Sequence, residues 1–245
     1  MNPAHRSPQT LSDVLQGVEW LHEFPAPFRE RVFADAYESY HARGNVVSRT
    51  GDPATSWIGV AEGVLKVTVV SKTGRVTLFT GVSRGAWIGE GAVIKRELRR
   101  YDIVAMRDSR LIHIPSSTFR WLLDTSIEFN RIVINSLNER LSQFISTVEI
   151  DRLEDPLSRV ARMLSSWFNP LLYPRMTATV PLLQSEVGEL VGLSRQSVSA
   201  ALRTLQREGY IKVGYGGITV ENVLGLRDFE ESHSSSSEAG KRVSK

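Results

Sequence analysis

The chain has no cysteine among its 245 residues. That excludes disulfides, thiolate zinc sites and cysteine-ligated iron–sulfur clusters. Its five histidines, at 5, 22, 41, 113 and 233, include no His-x-His pair, so the clustered ligands of a metal-dependent cupin enzyme are missing. No Ser/His/Asp grouping can be assembled either, and the chain does not read as an enzyme. No apolar run reaches the roughly 18 residues that a membrane-spanning helix requires. The N-terminus MNPAHRSPQT lacks the apolar core of an export signal, so a cytoplasmic protein is expected. Strong charge is lacking too: the net charge is only +3, although the pI is 9.3. A polyanionic partner must then be met by a few placed cations rather than by bulk attraction.

The length suits two domains. Residues 1–10 have no periodicity and read as a disordered arm. Residues 11–40 read as helical, with Leu11, Val14, Leu15 and Val18 on one face and a break at Pro25–Pro27. From 44 to 115, short β-rich runs (Val46–Ser48, Trp57–Val60, Leu65–Val70, Val76–Phe79, Ile103–Ala105, Leu111–Ile114) alternate with glycines, a pattern for a β-barrel or jelly roll. Residues 118–150 return to helical spacing. Ile127, Ile134, Leu141 and Val148 fall seven apart, with Leu137 and Phe144 completing the repeat and Asn130 and Asp151 interrupting it at its ends. Such a stripe predicts a seam, most simply of a parallel homodimer; packing on the domain's own sheet is the alternative, and a long helix has faces for both. Asp155–Pro156 breaks the pattern and reads as a hinge. The tail is polar and of low complexity. The expected fold is α+β. It comprises an arm (1–10), a jelly-roll sensor domain (11–123), a long dimerisation helix (124–154), a winged helix-turn-helix (155–227) and a disordered tail (228–245).

Residues 184–207, QSEVGELVGLSRQSVSAALRTLQR, carry the sharpest signal. Val187, Leu190 and Val191 share one helical face. Gly192 follows as a helix stop and Ser194 as the cap of a second helix. Val198, Ala201, Leu202 and Leu205 form that helix's buried stripe, which leaves Arg195, Gln196, Ser199, Ala200 and Arg203 outward. Two helices joined by so short a turn project side chains into a DNA major groove; the plain alternative is a helical hairpin in a core. The stretch GYIKVGYGGITVEN at 209–222 then reads as a β-hairpin, the wing of a winged helix.

This order of parts resembles the CRP/FNR superfamily of bacterial transcription regulators. The likeness is strongest in the run from Val191 to Val198, with Gly51-Asp-Pro-Ala, Glu62-Gly63 and Ile88-Gly89-Glu90 in support. The resemblance implies a homodimer on a near-palindromic operator in double-stranded DNA, acting with RNA polymerase. It implies that Arg195 reads guanine, that Gln196, Ser199 and Ala200 face bases, and that Ser194, Ser197 and Arg203 contact phosphates. A plain cap remains the other reading of Ser194.

For an effector, the resemblance points to Gly89 and Glu90, to Arg99 or Arg100, and to Phe144 and Ile145 on the dimer helix. The hydroxyl residue that accompanies the phosphate-binding arginine in cyclic-nucleotide binders is absent, since Arg100 and Tyr101 follow the candidates. This argues against cyclic AMP. Lys95, Arg96, Arg99 and Arg100 crowd one loop against Glu97, which reads either as a site for another nucleotide or anionic effector or as a solvated basic loop. A regulator active without any effector is the alternative. No metal ligands are expected.

Overall fold

The computed structural model describes residues 9–70, 73, 76–152 and 155–229; most of the arm and tail expected at the two ends lies outside them. In chain order come α1 (Leu11–Gln16), α2 (Glu19–His22), α3 (Ala26–Asp35), β1 (Tyr37–His41), β2 (Val46–Ser48), β3 (Ser56–Glu62), β4 (Val64–Val70), β5 (Val76–Ser83) and β6 (Trp87–Ile88). Then follow α4 (Glu90–Lys95), β7 (Asp102–Ala105), β8 (Ser109–Pro115), α5 (Ser116–Thr125), α6 (Ile127–Arg152) and α7 (Pro156–Ser166). Last are β9 (Thr179–Val180), α8 (Gln184–Val191), α9 (Arg195–Arg207), β10 (Ile211–Gly214), β11 (Gly217–Val220) and α10 (Val223–Arg227). The chain divides into two compact units, Met1–Leu137 and Asn138–Lys245. No helix among the described residues is long and apolar enough to cross a membrane.

The first unit holds two antiparallel four-stranded sheets, in the orders β1-β8-β3-β6 and β2-β7-β4-β5, the jelly-roll-like arrangement that the glycine-punctuated runs predict. Side chains alternate across a strand, and β3 is buried on both faces. Trp57 and Ala61, with Ile112 and Ile114 of β8, face a core built from Leu15, Phe24, Phe119 and Phe129 of the helices and their connections. Trp20, Trp57 and Trp87 meet there at ring-centroid distances of 4.4–5.6 Å. The opposite face of β3 carries Ser56, Ile58 and Val60.

Three differences from the sequence reading have local causes. Residues 37–41 form an edge strand rather than a continuation of helix: α3 stops at Asp35, and Tyr37–His41 pairs with β8 along its length. Its polar sequence hides the alternation. β6 has only two residues, too few for a pattern. Between α5 and α6, Ser126 leaves the helical conformation (φ −130°), and its hydroxyl accepts from the Phe129 amide at 3.1 Å, starting a new helix where one continuous helix is expected. Asn130, which interrupts the heptad, donates to the carbonyls of Leu123 and Ser126 at 2.6 and 2.8 Å and so ties the two helices together.

In the second unit, Asp155 caps α7 by accepting from the Leu157 and Ser158 amides, with Pro156 in the first turn where no amide donor is needed. Helices α7, α8 and α9 pack on a small antiparallel sheet of order β10-β11-β9. The last turns of α6 belong to this unit: Asn169 donates to Glu139 at 2.6 Å, Gln143 to Tyr173 at 2.8 Å, and Arg162 pairs with Glu149 at 3.1 Å.

Candidate nucleic-acid interface and effector region

Helices α8 and α9 are joined by a three-residue turn. Gly192 closes α8 in the left-handed conformation (φ 64°), which glycine adopts at little cost. Arg159 of α7 donates to the Val191 carbonyl at 2.5 Å, satisfying a helix end. Ser194 caps α9, its hydroxyl accepting from the Ser197 amide at 3.1 Å and lying 2.9 Å from the Ser197 hydroxyl. Added to Gly188, a Cβ would lie 3.1 Å from the Leu193 carbonyl and 3.5 Å from a Val198 methyl, so this glycine permits the close crossing of the two helices. Val187, Val191, Val198, Ala201, Leu202 and Leu205 are buried, and Leu190 and Leu193 are half-buried.

The opposite side of α9 is left to solvent. Arg195, Gln196, Ala200 and Arg203 are exposed and Ser199 is half-buried, with Ser194 and Ser197 at the helix start. All the residues expected to meet DNA therefore lie on one element and one face. Sequence reasoning missed Gln206 on the same helix: its side-chain carbonyl accepts from the Val213 amide at 2.9 Å and clamps the following hairpin to α9. A lone glutamine after a buried stripe carries no signal for such a contact.

On α6, Ile127, Ile134, Leu137, Leu141, Phe144, Ile145 and Val148 are all exposed, Ile134 at 54% and Leu141 at 60%. Phe129 and Val133, one turn apart, are buried in the first unit's core. The helix thus presents an apolar stripe to solvent and packs inward on another face, as both readings of its periodicity require.

In the first unit, the structure separates the two candidate arginines. Arg100 is exposed and pairs with Glu97 at 2.7 Å, and Lys95 and Arg96 are exposed beside it, as in a solvated loop. Arg99 is buried, with 4% of its surface accessible. It donates to the Ser56 carbonyl at 2.6 Å and the Gly89 carbonyl at 3.2 Å. Gly89 has φ 96°, and a Cβ there would collide with the Arg99 guanidinium. Glu90 is buried at the start of α4. Burial draws the Arg99 pKa down, while Tyr101, Glu90 and Asp52 push it back up.

Next to Arg99 lies a chain of polar side chains that the sequence did not reveal. Ser56 and Ser39 hydroxyls sit 2.9 and 2.7 Å from the two ring nitrogens of His113, and Ser39 lies 3.0 Å from His41. Tyr37 stacks on the His113 ring at 4.7 Å. His113 is thus a core residue. Burial, with His41 and Arg99 nearby, pushes its pKa down to about 4. The unfolded chain takes up this proton near pH 6.5 and the folded protein does not. Stability from this group is therefore complete above about pH 6.5 and declines as pH falls towards 4, by roughly 3 kcal/mol in all. Thermal melts from pH 7 to 4 should show the wild type losing stability more steeply than His113→Asn; parallel slopes would refute this.

Comparison with known proteins agrees with this architecture. The cyclic nucleotide-binding domain family matches residues 38–126, and the Crp-like helix-turn-helix domain family matches 158–229. The transcriptional regulator SdrP of Thermus thermophilus is 28% identical over 177 residues, covering 71% of this chain and 83% of that protein. The CRP-like cAMP-activated global transcriptional regulator of Mycobacterium tuberculosis is 24% identical over 175 residues, covering 70% and 78%. Among solved structures, FixK2 from Bradyrhizobium japonicum superposes with a TM-score of 0.66 at 18% identity, covering 79% of this chain and 96% of that one. The c-di-GMP responsive regulator CLP of Xanthomonas campestris gives 0.59 at 21% identity, covering 81% and 100%. These matches define a transcription regulator with a cyclic nucleotide-binding-type domain and a helix-turn-helix DNA-binding domain, not an enzyme. The chain belongs to the CRP/FNR family of transcription regulators.

Proposed function

We propose that the protein is a homodimer that seats α9 of each copy in the major groove of a near-palindromic operator, with half-sites about 34–36 Å apart. The single observation behind this is the outward row on α9, polar and cationic over a fully buried stripe. Arg195 donates two hydrogen bonds to guanine O6 and N7, the commonest specific base contact. Gln196, whose amide both donates and accepts, suits adenine among other partners, and Ser199 and Ala200 lie against the neighbouring bases. Ser194, Ser197 and Arg203 hold phosphates and fix the register without reading sequence. The exposed stripe of α6, from Ile127 through Ile134, Leu137, Leu141 and Phe144 to Val148, is the dimer seam. The functional parts are the sensor domain at 11–123, the dimerisation helix at 124–154 and the DNA-binding domain at 155–227, working in the cytoplasm with RNA polymerase.

The relatives named above differ in signal, one being cAMP-activated and another c-di-GMP responsive. In this chain the position of Arg99 favours regulation without cyclic AMP. Its guanidinium already serves two backbone carbonyls, and hydrogen bonds to a charged group contribute about 1.5–3 kcal/mol each. A cyclic phosphate would have to displace them, with no Ser or Thr beside the arginine to help. The sensor domain is then either filled by its own side chains or set for a different nucleotide or anion, with Gly89, Glu90, Arg99, Arg100, Phe144 and Ile145 as the residues to probe.

The deciding experiment is selection of bound duplexes from a random pool by the purified protein without added ligand. A palindrome with guanine placed for Arg195 supports a regulator competent by itself. A palindrome that enriches only when a nucleotide is added supports an obligatory effector. No enrichment under either condition refutes the DNA-binding proposal.

A further inference from the structure

Tyr215 stands at the turn between β10 and β11, between Gly214 and Gly216, and its side chain is fully exposed. An aromatic ring held wholly in water contributes nothing to a core, so the fold gives no reason for it. The hairpin that carries it is well fixed. Gln206 clamps it to α9 through the Val213 amide, and β11 is paired on both sides, with β10 and with β9. Gly217 (φ 147°) packs so closely on the Val180 carbonyl and Pro181 that no side chain could be accommodated there. Two surface hollows meet at Gln206: one runs along α9 beside Ala200, Arg203 and Arg207, the other under β10 beside Ile211 and Lys212. The surface is therefore continuous from the outward face of α9 to the wing. The tip itself, Val213 to Gly217, carries no formal charge, and Lys212 behind it is paired with Glu221 at 2.8 Å.

We propose that Tyr215 is a DNA-contacting residue, its ring packing on deoxyribose and its hydroxyl donating to a phosphate of the duplex that flanks the half-site read by α9. This rests on the DNA-binding function proposed above. A hydroxyl-to-phosphate bond is charge-assisted and short, and contacts of this kind position the protein without reading sequence. Continuity with α9 through Gln206 favours DNA over a protein at this surface.

The test is fluorescence anisotropy with the selected operator, as a duplex with long flanks and as one trimmed to the outer edges of the half-sites. Wild type, Tyr215→Ala and Tyr215→Phe are compared. Tyr215→Ala should bind the long duplex about five- to tenfold more weakly, as for loss of one or two backbone contacts per dimer, and Tyr215→Phe should recover the part carried by the ring. All three should bind the trimmed duplex equally. The salt dependence should not change, because no cation is removed. Unchanged melting temperatures would verify that the exposed position leaves folding intact. Equal affinity of Tyr215→Ala and wild type for the long duplex overturns the wing contact and leaves the α9 reading standing. Wild type that binds no duplex overturns both. A Tyr215→Ala protein that binds every duplex normally yet fails in transcription with RNA polymerase assigns the tip to a protein, and also overturns the proposal.

Discussion

Lysine at both Ile134 and Leu141 should convert the protein to monomers and lower operator affinity by about 100-fold or more. The two side chains lie seven residues apart on the exposed stripe of α6. Placing a charge at each would require desolvating like charges across the seam, which costs several kcal/mol per buried ion. The affinity loss follows from valency. A dimer engages its second half-site at high effective concentration, and the gain over one module is on the order of 10²–10⁴. Both positions are already in water in the single chain, so the variant should keep its fold and its far-ultraviolet circular dichroism. Light scattering and operator titration read the two effects separately. A double variant that remains dimeric would place the seam elsewhere. Val133→Ala supplies the contrast: Val133 lies buried against the aromatic core, so its truncation should lower stability and leave association intact.

Arg195→Ala should cost about 1–3 kcal/mol of discrimination at one base pair in each half-site, roughly 5- to 150-fold. The guanidinium is exposed at the first turn of α9. Ser194 and Ser197 set the start of that helix, so the geometry of its neighbours should survive the change. Titrations against the operator, against operators altered at single positions, and against random duplex separate two roles. Loss confined to the operator, with the preference for guanine erased, identifies base reading. Equal loss on operator and random duplex would show that Arg195 holds phosphate only. Arg203→Ala, two turns further along, should weaken both classes alike and reduce the salt dependence by about one unit of slope.

The DNA-binding half was legible because its cues are local. Gly192, Ser194 and the Val198–Leu205 stripe lie within 14 residues of one another, and each acts through backbone geometry or helical period that needs no distant partner. The wing followed from Gly214 to Gly217 set between β-rich runs. In the first unit the strongly apolar strands were equally plain. The edge strand Tyr37–His41 was not, because it is held by pairing with β8, a partner about 70 residues away. Nor could the sequence separate Arg99 from Arg100. They are adjacent and identical, and only the tertiary position of Ser56 and Gly89 sends one inward and leaves the other with Glu97. The Ser56–His113–Ser39–His41 chain is of the same kind, assembled from three strands. For α6 the repeat of seven identified the exposed stripe, while Phe129 and Val133, which fix its first turns in the core, sit outside that repeat.

The contacts that Glu139, Gln143 and Glu149 make with Asn169, Tyr173 and Arg162 bear on how the molecule can be taken apart. A fragment opening at Asp155 would keep the whole helix-turn-helix and wing but expose the faces of Asn169, Tyr173 and Arg162 that those side chains cover. One opening at Asn138 would carry its own cover, and with it the exposed Leu141, Phe144 and Val148. Stripped of the rest of the chain, that longer piece is the smallest part in which folding of the DNA-binding half and self-association could be followed in one molecule.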